Sequence, residues 1–430
     1  MRQLFAIAFG LALAGCATVP PAAQPGGVLD PIAREFVVQT LEIGERDPGF
    51  VDAYYGPPEL QAAAKARPRS VAELKAASAA LLTRLDALPP SSGLERERRE
   101  NLRGLIVAAH TRLRMLSGEK LPFVEEARGL FGVAPELKPL ASYDPMLAKI
   151  DALVPGTGTL ADRVQAYEDR FNIPADRLRP VMDAAIAECR TRTLRHIALP
   201  ANERFDLSFV TGKSWSGYNY YQGDAKSRIE INTDLPVRIS RAVDFGCHEG
   251  YPGHHVYNAL LEQNLTRGRG WIEFSVYPLY SPQSFVAEGS ANYGIELAFP
   301  GEEQAAFEAR VLYPLAGFDP REAQRFSALR VAKQGLKLAG LTIAADYLDG
   351  KIDRETAIGL NQKYSLESRA RAAKSVDFVD QYRTYVINYG LGLDLVRAYV
   401  DAAGPREEAR WARMRAILSE PTTPDDLLKR

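Results

Sequence analysis

Apolar positions recur at helical spacing along most of the chain. Ser70 to Leu88 sets Val71, Leu74, Ala77, Leu81, Leu82 and Leu85 on one face and is closed by Pro89-Pro90, which is the period and the stop signal of an amphipathic helix. Asp30-Pro31 reads as a cap followed by a first-turn proline, and Phe36, Val37, Leu41 and Ile43 form an apolar face that Asp47-Pro48-Gly49 ends. Tyr54-Tyr55-Gly56-Pro57-Pro58 reads as a turn-rich link. Leu94 to Leu116, Thr159 to Arg170, Pro174 to His196, Arg321 to Gly350, Asp353 to Gln362, Asp377 to Ala402 and Arg406 to Leu418 carry the same helical pattern.

The period changes between residues 203 and 233. Phe205 to Val210 alternates, Trp215 to Tyr221 is aromatic-rich, and Arg228 to Asn232 alternates again, with Gly223-Asp224 as a turn. These signals predict a small antiparallel sheet or hairpin set. Helical spacing returns with Ile239, Ala242, Val243 and Gly246 and resumes with Val256, Ala259, Leu260 and Gln263. One long helix that absorbs Pro252 and Gly253 is predicted there, and Ser281-Pro282 opens another that reaches Glu296. The expectation is a mainly α protein: one large helical domain over residues 29–430, with a small antiparallel β-sheet beside the helices of the site.

Composition adds an exclusion. The 430 residues are 46% hydrophobic and 25% charged, with 53 basic and 54 acidic side chains and a formal net charge of −1. A nucleic-acid binder would show a basic face or stripe, so no nucleic-acid partner is expected. Glu95-Arg96-Glu97-Arg98-Arg99-Glu100 alternates in sign and reads as a solvated helix face.

The N-terminus stands apart. Met1-Arg2-Gln3 is a short positive region, Leu4 to Leu13 is apolar but too short to span a bilayer, and Leu13-Ala14-Gly15-Cys16 follows. This ending resembles the bacterial lipobox. The resemblance implies a signal peptide over residues 1–15, cleavage before Cys16, and acylation of Cys16 as the membrane contact. Residues 16–28 are rich in Pro, Ala and Gly and read as a flexible stalk. Ala17 after the cysteine, by resemblance to sorted lipoproteins, favours the outer membrane facing the periplasm. Two cysteines remain, Cys189 and Cys247, able to form one disulfide or stay as two buried thiols. Cys247 is expected as a small buried side chain, because adjacent helical residues point about 100° apart and cannot easily share an ion with His248.

The chemistry concentrates in Cys247-His248-Glu249-Gly250-Tyr251-Pro252-Gly253-His254-His255. Three of the five histidines fall in eight consecutive residues. Clustered His and Glu suit a metal with an adjacent general base. The usual H-E-x-x-H places its histidines at i and i+4 on one helical face, but i+4 here is Pro252. On a regular helix, i+6 sits about 240° round from the first histidine and i+7 about 10.5 Å along the axis. If Pro252 and Gly253 are absorbed as a bulge, His254 takes the place of i+4. His248 and His254 are therefore the expected ligands and Glu249 the base, with His255 an alternative ligand or a neighbour to the site. His110 and His196 lie in helical segments without a ligand partner at useful spacing and read as ordinary surface or core residues.

His248, Glu249, Pro252, Gly253, His254 and His255, followed by Glu288, Gly289 and Ala291, resemble a broad bacterial family of uncharacterised proteins with an H-E-x-x-P-G-H-H motif, grouped with gluzincin-type zinc peptidases. Similarity extends through most of the chain, including Asp52-Ala53-Tyr54-Tyr55-Gly56-Pro57. Ser290 stands where the family often has tryptophan. The resemblance implies one Zn2+ ion, with Glu288 as the third ligand, and a metallopeptidase that hydrolyses peptide substrates. Tyr385, Tyr389 and His255 are candidates to stabilise the oxyanion. The competing readings are an envelope protein that binds peptides or cell-wall fragments without cleaving them, and a hydrolase of a non-peptide amide.

Overall fold

A computed structural model describes residues 27–429. The signal peptide over 1–15, Cys16 and nearly all of the stalk over 16–28 lie outside the described residues. The described chain is mostly helical with two small sheets, and no helix among the described residues is long and apolar enough to cross a membrane.

The periodic segments fold as helices close to their predicted bounds: Val71–Asp86, Gly93–Leu116, Leu160–Asp169, Ala175–Thr193 and Pro282–Ala298. Ser70 and Glu73 form a reciprocal capping box on the first, which satisfies amide donors that no helical carbonyl can reach. Asp30 differs from expectation. It is the first residue of helix Asp30–Gly44, and its carboxylate accepts from the Gly27 amide (2.7 Å) and pairs with Arg98 (2.8 Å). Arg98 is itself a correction to the solvated-face reading: it is 2% exposed and bonds the fully buried Glu273 in a two-point pair. A buried guanidinium persists only with such full pairing.

Strand β1 (Val51–Tyr54) precedes the turn-rich link and shares only Tyr54 with it. It pairs antiparallel with a short strand at Val276–Pro278. The second sheet comprises β2 (Arg204–Val210), β3 (Gly217–Gly223) and β4 (Lys226–Asn232) in the order β2-β4-β3. The β3–β4 pair is the expected antiparallel hairpin, turned at Gly223, Asp224 and Ala225, which all have positive φ. β2 runs parallel to β4 instead. The tight turn gives one side of β4 to β3, so β2 takes the other side and β3 is left at the edge.

The expected long helix through the motif is two. Helix Ser240–Phe245 runs into a π-helical turn, Gly246–Gly250; the chain breaks at Tyr251-Pro252-Gly253, with a cis bond before Pro252, and a new helix, His254–Leu261, begins. The crossing is tight. A Cβ on Gly253 would stand 1.7 Å from the His248 carbonyl oxygen, so only glycine lets the chain double back there. Pro252 then packs against Gly294 of the Pro282–Ala298 helix, where a Cβ would lie 2.8 Å from its ring.

Candidate metal centre

His248 sits in the middle of the π-helical turn Gly246–Gly250, His254 opens the next helix, and Glu288 projects from the middle of Pro282–Ala298. Their head groups converge. His248 Nε2 lies 3.1 Å from His254 Nε2 and 3.1 Å from Glu288 Oε2, and His254 Nε2 lies 3.5 Å from Glu288 Oε1. A ligand atom of Glu249 joins those of His248 and His254 within 4.8 Å. Thus all four residues gather at one point, and two different triads can be drawn among them. Glu288 is in van der Waals reach of both imidazoles at once, which makes it the better third corner and leaves Glu249 beside the group.

The donor set fits a divalent cation. Donors about 2.0–2.1 Å from a tetrahedral ion stand about 3.3 Å apart, and the three separations bracket that value. Glu288 Oε2 is buried and has no hydrogen-bond donor, although a buried carboxylate oxygen is ordinarily satisfied. Two imidazole nitrogens facing each other at 3.1 Å likewise call for a shared cation or proton. Two histidines and a glutamate are a common zinc set.

The electrostatics follow the crowding. Burial alone would lower His254, but the Glu288 carboxylate reverses this and holds the imidazole up at about 9. Burial alone would raise Glu288, but the charge of His254 and the His248 contact hold it well below the usual carboxylate range. The Tyr385 hydroxyl donates to Glu288 Oε1 at 2.7 Å. This orients the carboxylate from behind, as outer partners of metal ligands commonly do, and it commits a tyrosine read in sequence as an oxyanion donor. Tyr389 keeps its ring 6.5 Å from that of His248, near-parallel, and lines the adjoining cavity.

His255 does not enter the group. It is fully buried, its Nδ1 lies 2.8 Å from Ser227 Oγ and its Nε2 lies 3.1 Å from Glu203 Oε2. With Nε2–H donated to the carboxylate, Nδ1 accepts from the Ser227 hydroxyl, so both nitrogens are occupied. Tyr251 and Arg190 also donate to Glu203. Neither the alternative-ligand role nor the oxyanion role is available to His255 in this position. His110 bonds Ser78, and His196 stacks on Trp411 at 4.6 Å beside Glu407 and Glu408.

Cys247 is disulfide-bonded to Cys189, with Cα atoms 5.3 Å apart. It is buried, as expected, but as half of a cross-link between helix Ala175–Thr193 and the residue before His248. The motif glycine after Glu288 also has a packing cause: a Cβ on Gly289 would stand 2.5 Å from the Gly392 carbonyl oxygen. Ala291 is fully buried.

Three residues beside the centre had no assigned role in the sequence. Asp52 on β1 accepts from the Tyr218 hydroxyl on β3; burial, opposed by His254, pushes its carboxyl up to about 7. The likeness of Asp52-Ala53-Tyr54-Tyr55-Gly56-Pro57 to the family was the available signal. Gly217 on β3 makes room for Glu249: a Cβ there would lie 2.9 Å from its Oε1. Asn219 donates to the Glu249 carbonyl at 2.7 Å. The edge of the sheet is therefore packed directly on the motif, and both line a cavity of about 1000 Å³ that also contains Trp215, Tyr382 and Tyr389.

No family model matches the chain, and no curated protein matches its sequence. Solved structures do match in shape. The "putative lipoprotein" of Colwellia psychrerythraea has a TM-score of 0.50 at 14% identity, over 84% of this chain and 69% of that one. The "putative lipoprotein of unknown function" of Shewanella oneidensis has a TM-score of 0.47 at 12% identity, over 86% and 75%. The M32 carboxypeptidase of Deinococcus radiodurans R1 has a TM-score of 0.37 at 14% identity, over 93% of each chain. At these identities the Colwellia likeness concerns the fold alone.

Proposed function

We propose that this chain is a zinc-dependent metallopeptidase, anchored in the cell envelope through a lipid on Cys16. The observation that carries the reading is the meeting of His248, His254 and Glu288 within 3.5 Å, with Glu249 beside them in a cavity wall. His248, His254 and Glu288 would hold the ion. When bound, zinc would supply Lewis acidity, polarising a carbonyl and lowering the pKa of water.

The chain's own groups do the rest. Glu249 takes the proton of the attacking water and returns it to the leaving amine. Tyr385 fixes Glu288 in place. Tyr389 is the tyrosine left to donate to the developing oxyanion. The edge of β3, with Gly217 bare beside Glu249, receives an extended peptide by main-chain hydrogen bonds. Residues 29–430 act as one domain in this reading, with 16–28 as its tether.

The deciding experiment is Glu249→Gln. The zinc-loaded variant should keep one ion per chain and lose about 10²–10⁴-fold in peptide hydrolysis. Unchanged turnover would remove Glu249 from the mechanism. A wild-type protein that takes up zinc and binds peptides but cleaves none would support the binding-protein reading instead, and cleavage of non-peptide amides alone would support the third.

A further inference from the structure

Arg383 holds a backbone conformation that disfavours any side chain. Its φ is 52° and its ψ −125°, a region that glycine enters without steric cost and other residues occupy only when their surroundings hold them there. The residue stands between helix Arg369–Tyr382 and a short helical turn, Arg383–Val386, that carries Tyr385. A π-helical turn, Asn388–Gly392, follows and carries Tyr389. The strained residue is therefore where the helix ends and the tyrosine segment begins.

A buried carboxylate holds it in place. Glu126, fully buried on helix Phe123–Phe131, accepts from Arg383 Nε at 2.9 Å and Nη2 at 2.7 Å. It also accepts from the Thr384 hydroxyl at 2.9 Å and the Thr384 amide at 3.4 Å. These donors all belong to the residues directly before Tyr385. The same helix sets Phe131 edge-on to Tyr385, with ring centroids 6.1 Å apart. Tyr385 in turn donates to Glu288 Oε1 at 2.7 Å and keeps its ring 5.8 Å from that of Tyr389. Tyr385 and Tyr389 line the cavity; Arg383 and Glu126 do not, so their effect on the site passes through the tyrosines. Glycine would take this φ freely. An arginine at the position is explained by what its side chain holds, and a two-point charged pair away from water is both strong and directional.

We propose that the Arg383–Glu126 pair is a positioning device for the metal centre: it keeps the strained turn in the conformation that aims the Tyr385 hydroxyl at Glu288. The inference rests on the metal-centre reading and extends it to residues outside the cavity.

A double-mutant cycle on zinc affinity tests this without turnover. Affinity is read by competition with a chromophoric chelator, and thermal unfolding of each metal-free variant checks folding. Tyr385→Phe removes the bond to Glu288 and should weaken zinc binding at least about tenfold. Arg383→Gly relieves the backbone and releases the turn, and should weaken binding at least about threefold. Together they should cost no more than Tyr385→Phe alone, because the arginine then has no hydroxyl to aim. Arg383→Lys, which keeps a charge on Glu126, should bind zinc more tightly than Arg383→Gly. Losses that add in the double variant, or wild-type affinity in Arg383→Gly, would make the pair a support of the fold alone and overturn the proposal. If Arg383→Gly does not fold, Thr384→Val, which removes one donor from Glu126 at nearly constant shape, takes its place in the cycle and is judged by the same non-additivity. A wild-type protein that takes up no zinc fails the metal-centre reading itself, whereas additive losses from a zinc-binding wild type fail the proposal only.

Discussion

His254 and His255 are adjacent and equal in chemistry, yet they face different surroundings. His254 meets His248 and Glu288, whereas His255 meets Ser227 on β4 and Glu203 just before β2. The second histidine therefore ties the start of helix His254–Leu261 to the sheet and fixes the turn from which His254 points. His254→Ala should lose the zinc found by elemental analysis, while His255→Ala should keep near-stoichiometric zinc at saturation. It should also lose about 2–3 kcal/mol in denaturant unfolding, because Ser227 and Glu203 are left without their buried partner. The opposite pattern would exchange the two roles. Glu203 adds a pH dependence. Burial would raise its carboxyl, but His255, Tyr251 and Arg190 hold it down at about 2, against an ordinary 4.5. A depressed folded pKa stabilises above the unfolded value and loses that contribution as pH falls through the folded one. Stability from this group should be full above about pH 4.5 and fade toward pH 2. Glu203→Gln should flatten that part of the acid-unfolding curve, and an unchanged slope would refute the linkage.

At the scale of elements, the site depends on a break that periodicity does not reveal. Apolar spacing continues on both sides of Pro252, so the sequence reads as one bulged helix; His248 instead lies in the π-helical turn that closes one segment, and His254 opens the next. Gly253 is the residue that permits this, since its Cα passes against the His248 carbonyl. Gly253→Ala should shift the chain by more than an ångström at both ligands and weaken zinc affinity at least about tenfold. Competition with a chromophoric chelator measures this, and wild-type affinity in the variant would show the crossing to be dispensable. The helices and the hairpin were legible because each is set by local period and turn residues. β1 was not. Four residues are too few to show alternation, and its partner strand is over 200 residues away, so nothing local announces that Asp52 reaches the centre. The parallel placement of β2 was hidden for the same reason: it follows from which side of β4 remains free. Glu288 was legible only through its likeness to a family pattern, since its distance from His248 in sequence carries no geometric information.

The whole molecule presents the motif between two restraints. On one side Gly289 and Gly392 bring helix Pro282–Ala298 against the segment that carries Tyr389. On the other, the Cys189–Cys247 bond fastens helix Ala175–Thr193 to the residue before His248. The bond closes a loop across 58 residues, for which chain entropy alone gives about 4 kcal/mol. Such a cross-link persists in an oxidising compartment, which is consistent with an envelope location. The expected outcome is that Cys189→Ala with Cys247→Ala lowers the unfolding free energy by about 2–4 kcal/mol, and that a thiol reductant does the same to the wild type but not to the double variant. Because the bond restrains the segment carrying His248, zinc should also dissociate faster from the reduced protein. Equal zinc off-rates before and after reduction, alongside a clear loss of stability, would make the cross-link a device of the fold alone. A faster loss of zinc would show that the restraint reaches the ligand itself.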